Sequence, residues 1–136
     1  MSANRQWPLR YTRYVGSVAD NAEQELALGG LPNNRHQILR AAFVPDTAIV
    51  TDTTSGFYFH ILNKGTSGTV NTTIATYTAT TAAGTLAAYK RIELTNSTAT
   101  DAMVVAEGEL LTWKEATLGT GTARANGEVQ IEYILF

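Results

Sequence analysis

The 136-residue chain contains no cysteine, which closes off both a disulfide framework and a thiolate metal site. Any use outside a cell would rest on packing and assembly rather than on covalent cross-links. Histidine is nearly as scarce, with His36 and His60 the only two. Charged residues make up 16% of the chain, below the roughly 25% of an average soluble domain. The net charge is −2 and the pI about 5.6, so the basic excess of a nucleic-acid-binding domain is missing and no nucleic-acid partner is expected. No apolar run approaches the roughly 18 residues of a membrane span. The opening MSANRQWPLRYTRY also lacks the apolar stretch of a signal peptide. The expectation is a soluble protein with no membrane partner and no secretion address.

What is present is enough for one domain. At this length a chain buries roughly two-thirds of the surface it exposes unfolded, and 44% hydrophobic residues can fill a core. Low charge with many threonines and small residues fits two descriptions. One is a surface partly covered by partners, the other a neutral, Thr-rich β surface.

The hydrophobic pattern is that of strands. Gln37–Val44 (QILRAAFV) is ended by Pro45–Asp46. Gly56–Asn63 (GFYFHILN) sets Phe57, Phe59 and Ile61 on one face and Tyr58, His60 and Leu62 on the other. Asn71–Thr80 is rich in Thr, Ile and Tyr, as strands are. Tyr89–Thr95 alternates so that Ile92 and Leu94 face inward, and Met103–Val105 is a short apolar stretch. Leu110–Thr117 follows a turn at Glu107–Gly108–Glu109. In Gly127–Phe136 the residues Val129, Ile131, Tyr133 and Leu135 share a face, with Glu128, Gln130 and Glu132 on the other. Such alternation marks a sheet with one buried face. Ala22–Leu28 (AEQELAL) suits a helix capped by Asp20 or Asn21 or a second strand, and its uniformly β surroundings favour the strand. Seven or eight strands, with no long helices between them, predict an all-β fold. The natural form is an antiparallel two-sheet sandwich, jelly-roll-like. Residues 1–14 are expected as an extended N-terminal arm and residues 15–136 as the single domain, its first strand near Tyr11–Val18.

Residues able to run a reaction are few. His60 alternates with aromatics inside a strand, where a structural or interface role is the ordinary one. No serine stands in a G-x-S-x-G context. Glu93, Glu128 and Glu132 alternate with apolar residues and belong to a solvent face rather than to a glycosidase pair. Asp46 and Asp52 share a loop but lack EF-hand spacing, so a solvated loop is the default. The loops Gly65–Thr69 (GTSGT) and Gly119–Thr122 (GTGT) lack the phosphate-loop lysine and a following helix. They are hairpin and sheet-to-sheet turns. No enzyme activity, cofactor or metal is expected.

Two blocks of the chain have a familiar order. LRAAFVPD (Leu39–Asp46), FHILNKGTSGT (Phe59–Thr69) and TIATYT (Thr73–Thr78) make up the first, and Val104–Tyr133 the second. Together they resemble a group of small tailed-phage virion proteins, the capsid decoration or cement proteins, over about Ile38–Tyr133. Each piece is β-turn chemistry of low specificity, and the order and spacing carry the likeness. The resemblance implies a compact β-sandwich or jelly roll, often trimeric, seated on the outer capsid surface of a bacteriophage and clamping neighbouring major capsid protein subunits. Such a protein is made in the host cytoplasm. The alternative is a carbohydrate- or receptor-binding β-sandwich of a head fibre or tail, with Trp113, Tyr58 and Tyr77 as stacking candidates, although Trp113 alternates like a core residue.

The contact residues expected for the capsid and for a homotrimer come from three places. Arg5, Trp7, Arg10, Tyr11 and Arg13 combine arginine with aromatics, as interfaces do. Tyr58 and Leu62 make the second face of their strand apolar. Ile134 and Phe136 point away from the buried face of the last strand, where large apolar groups call for a cover.

Overall fold

A computed structural model describes residues 7–18, 23–50, 55–79, 85–119 and 126–135. Among the described residues there is no helix, and twelve strands account for the regular structure. They are β1 (Leu9–Val15), β2 (Gln24–Ala27), β3 (His36–Pro45), β4 (Ile49–Val50), β5 (Ser55–Asn63), β6 (Thr72–Ala79), β7 (Thr85–Leu86), β8 (Ile92–Glu93), β9 (Thr95–Asn96), β10 (Val104–Val105), β11 (Leu111–Gly119) and β12 (Gly127–Leu135). The first sheet runs β1-β12-β3, with β10 and β8 both pairing the far edge of β3. The second runs β2-β11-β5-β6-β9, and β4 pairs β7 separately. Every ladder is antiparallel.

The topology is that of a jelly roll. Setting aside the short β4, β7, β9 and β10, the first strand lies beside the last, and the second beside the last but one. The third strand, β3, joins the first sheet, and the fourth and fifth, β5 and β6, pair in the second. This is the double-Greek-key sandwich that eight alternating strands form.

The core is where alternation predicts it. Phe57, Phe59 and Ile61 of β5 are fully buried, as are Trp113 of β11 and Val129 and Ile131 of β12. The two sheets meet through rings: Phe43 of β3 lies 4.9 Å from Phe59 and 5.7 Å from Trp113, centroid to centroid. These separations fall in the favourable range for offset and tilted aromatic pairs. An indole N–H so deep needs an acceptor, and Trp113 Nε1 donates to the buried Glu115 Oε1 at 2.5 Å.

Four expectations are refined or corrected. Within Ala22–Leu28, of which Ala22 lies outside the described residues, Gln24–Ala27 form the strand β2 and not a helix, because Leu26 and Leu28 then share the inner side while β11 takes up the backbone hydrogen bonds. The expected arm does not extend to Tyr14: Leu9–Val15 pair residue for residue with β12, since Tyr11 and Val15 are apolar at a spacing that packs inward. Tyr89–Thr95 is not one strand. Tyr89 occupies a turn with φ of +59°, β8 pairs with β3, β9 pairs with β6, and Leu94 between them donates its N–H to Ala41 O. The segment thus crosses from one sheet to the other with Ile92 and Leu94 both buried, as their alternation predicts. Finally, Leu135 is 38% exposed rather than buried, because it pairs with His36 at the very end of the β3 ladder.

Candidate binding face

The outer faces of the two sheets differ in chemistry. On the first sheet, alternation places Arg10, Arg40, Glu132, Gln130 and Glu128 outward, and cross-strand register brings them together. Arg10 reaches Glu132 at 3.2 Å, and Arg40 spans Glu132 at 3.9 Å and Glu93 at 2.7 Å. Arg91 binds Glu93 at 2.5 Å and donates to Gln130 at 2.6 Å, and Gln130 donates to Glu128 at 2.8 Å. Burial pushes the Glu93 carboxyl up, but hydrogen bonds from Arg91 and Arg40 outweigh it and hold the group below its ordinary value. Three arginines answer three glutamates in one connected network, so this face is balanced in charge, although Arg91 Nη2 is buried without a hydrogen-bond partner among the described residues.

The outer face of the second sheet is built otherwise. Tyr58, His60 and Leu62 alternate outward along β5, opposite Ala116, Lys114 and Thr112 of β11. Glu25 of β2 lies across from Lys114, and Thr73 of β6 lies across from Leu62. Together they form an open depression of about 340 Å³. Its rim is ordered by polar contacts at one end. Lys64 Nζ lies 3.3 Å from Glu25 Oε1 and donates to Asn71 Oδ1, while Thr112 Oγ1 donates to the same Glu25 oxygen at 2.9 Å. The Thr112 hydrogen bond, working against burial and joined by Lys64 and Lys114, holds the Glu25 carboxyl below its ordinary value. At the other end the Tyr58 and His60 rings meet edge to face at 4.5 Å. Burial, reinforced by the Lys114 charge, lowers the His60 pKa, and its Nδ1 is shielded from solvent with no hydrogen-bond partner.

The residues singled out in the sequence fall in different places. Tyr58 and Leu62 lie in this depression, Leu62 already 8% exposed. Trp7 is 75% exposed. Arg10 is tied into the network of the first sheet. Tyr11 donates its hydroxyl to Gly29 O at 2.7 Å, and Arg13 donates to Ala27 O, so these two side chains fasten β1 to the end of β2 and the turn that follows it. Ile134 is half-buried beside Gln37. Arg5 and Phe136 lie outside the described residues, as does Asp52. Asp46 accepts the Tyr14 hydroxyl. Of the stacking candidates, Trp113 is wholly buried and Tyr77 packs against the core, which leaves Tyr58 alone on an outer face. The loop at Gly65–Thr69 is the hairpin turn between β5 and β6, with Gly65 and Gly68 at φ of +68° and +80°. Lys64, Lys114 and Glu25 were not legible as site residues, because only the pairing of β2 and β5 on either side of β11 brings them together.

No family model matches the chain, and no curated protein matches it. Among solved structures, the one described as "Structure of infectious bursal disease virus Gx strain" aligns over 96% of this chain at 11% identity and a TM-score of 0.37. The present chain spans 32% of the length of that protein.

Proposed function

We propose that the chain is a structural virion protein that binds the outer surface of a phage capsid and stabilises the lattice by bridging major capsid protein subunits. The observation that carries this reading is the contrast between the two outer faces. One is an ion-pair network balanced in charge; the other is a depression lined by Tyr58, His60 and Leu62 that holds two lysines against one glutamate. The ordered likeness of Leu39–Asp46, Phe59–Thr69 and Val104–Tyr133 to cement proteins supports the same reading. A ligand that binds only the assembled shell stabilises it by mass action. Assembly as a homotrimer would present three copies of each contact, so that modest contacts add through effective concentration. Such a protein works by surface and carries out no reaction.

The test is whether purified protein binds expanded capsids that lack it, saturating at a fixed copy number per shell, with a trimeric mass in solution or on the particle. Absence of saturable binding would sink the capsid reading, and a strictly monomeric mass in both settings would sink the trimer. Glycan-array binding that depends on Tyr58, without capsid binding, would favour the receptor-binding alternative.

A further inference from the structure

Lys114, Tyr58 and His60 line the depression on the outer face of the second sheet. Among the described residues no hydrogen bond engages Lys114 Nζ or the Tyr58 hydroxyl, and the solvent-shielded His60 Nδ1 has no partner. Glu25 stands directly across from Lys114 in the ladder, yet its carboxylate is engaged by Lys64 and Thr112. Two lysines against one glutamate leave the depression with one positive charge in excess, on a chain whose net charge is −2. The first sheet's outer face, by comparison, is balanced.

We infer that this depression is the seat of an acidic side chain, Asp or Glu, projected by a partner protein. Carboxylate oxygens are acceptors only, and the Lys114 ammonium and Tyr58 hydroxyl are the donors left to meet them. The Tyr58 ring and Leu62 supply an apolar wall for the methylene stem, in the way interfaces combine aromatic area with a single charged contact. One excess charge suits one carboxylate. A nucleic-acid backbone calls for a row of lysines and arginines, which this face does not carry. The inference deepens the capsid reading and rests on it only for the partner's identity, which would be an acidic residue on the major capsid subunit.

The test is a nuclear magnetic resonance titration of the full chain with a short oligoglutamate peptide, the matching oligoglutamine peptide, and a short oligothymidylate. Oligoglutamate should shift the amides of Tyr58, His60 and Lys114 saturably. The substitution Lys114→Met should weaken that binding about fivefold, the upper range for a solvent-accessible ion pair, whereas Lys114→Arg should retain it. Shifts that are absent, equal with oligoglutamine, centred on Arg10 and Arg40, or stronger with oligothymidylate would overturn the inference. Peptide binding without capsid binding would leave the site standing and remove the capsid. Capsid binding indifferent to Lys114→Met, without peptide shifts, would do the reverse.

Discussion

A β-carbon on Gly127 would stand 2.2 Å from Phe43 Cζ and 2.7 Å from the Val44 carbonyl oxygen. Phe43 has nowhere to retreat, since Phe59 and Trp113 stack on it from the other sheet. Gly127→Ala should therefore cost about 1–3 kcal/mol, the usual penalty for overpacking a filled core. Denaturant unfolding would measure it, and adding Phe43→Leu should recover part of the loss, a coupling that a double-mutant cycle detects. An unchanged unfolding midpoint for Gly127→Ala would refute the packing account. A second residue reports through pH. Burial and the facing Lys114 hold His60 below the 6.5 of the free side chain, and its neighbour on β6, Thr76, does not titrate. Between those two pKa values the unfolded chain binds a proton that the folded chain refuses, so this group lowers stability as pH falls through 6.5. It has no effect above that value. His60→Gln should flatten the stability profile between about pH 7 and 5. The carboxyls of Glu25 and Glu93 act lower, stabilising above their ordinary value of 4.5 and losing that contribution on further acidification. An identical slope in the His60→Gln variant would show that the histidine is not linked to folding.

Strand β1 shows both what the linear pattern reveals and what it conceals. Pro8 and poor periodicity blur the bounds of the first strand, expected near Tyr11–Val18 and found at Leu9–Val15, because it is defined by its partner: seven residues pair with β12, Arg13 reaches a carbonyl of β2, and Tyr11 reaches Gly29 O just beyond it. Register and pairing are long-range facts, and single-strand alternation does not contain them. The strands β5 and β12 were legible because each alternates along much of its length, and β3 and β11 because each is an apolar-rich run bounded by turn residues. The crossing at β8 and β9 was not, since two residues in each sheet look the same as four residues in one. The candidate site divides along the same line. Tyr58 and Leu62 follow from parity within β5, whereas Lys114 and Glu25 arrive from strands far away in the chain. Deleting 1–14 should therefore lower stability by upwards of about 3 kcal/mol, because Tyr11 loses its contacts with the core and the β12 edge is laid bare. Circular dichroism on thermal and urea unfolding measures it, and a fully stable 1–14 deletion would show that β1 is dispensable.

On the scale of the whole molecule, the jelly roll presents two outer faces of different chemistry. Arg40 and Glu93 are each about half exposed, 49% and 48% by side chain. Ion pairs so open to water contribute about 0–1 kcal/mol. Arg40→Met should then change stability by less than about 1 kcal/mol and leave capsid occupancy where it was. Tyr58 sits on the opposite side of the sandwich, outside the aromatic core, beside Lys114, whose ammonium has no hydrogen-bond partner among the described residues. If that side is the docking face, its central aromatic should behave as an interface hot spot, worth at least about 2 kcal/mol. Tyr58→Ser should weaken capsid binding about thirtyfold while the isolated subunit keeps most of its stability. Occupancy on capsids lacking the protein, measured beside the unfolding midpoint of each variant, decides the matter. Equal binding by Tyr58→Ser and the parent chain, or a selective loss with Arg40→Met, would place the contact on the first sheet and reverse the assignment of the faces.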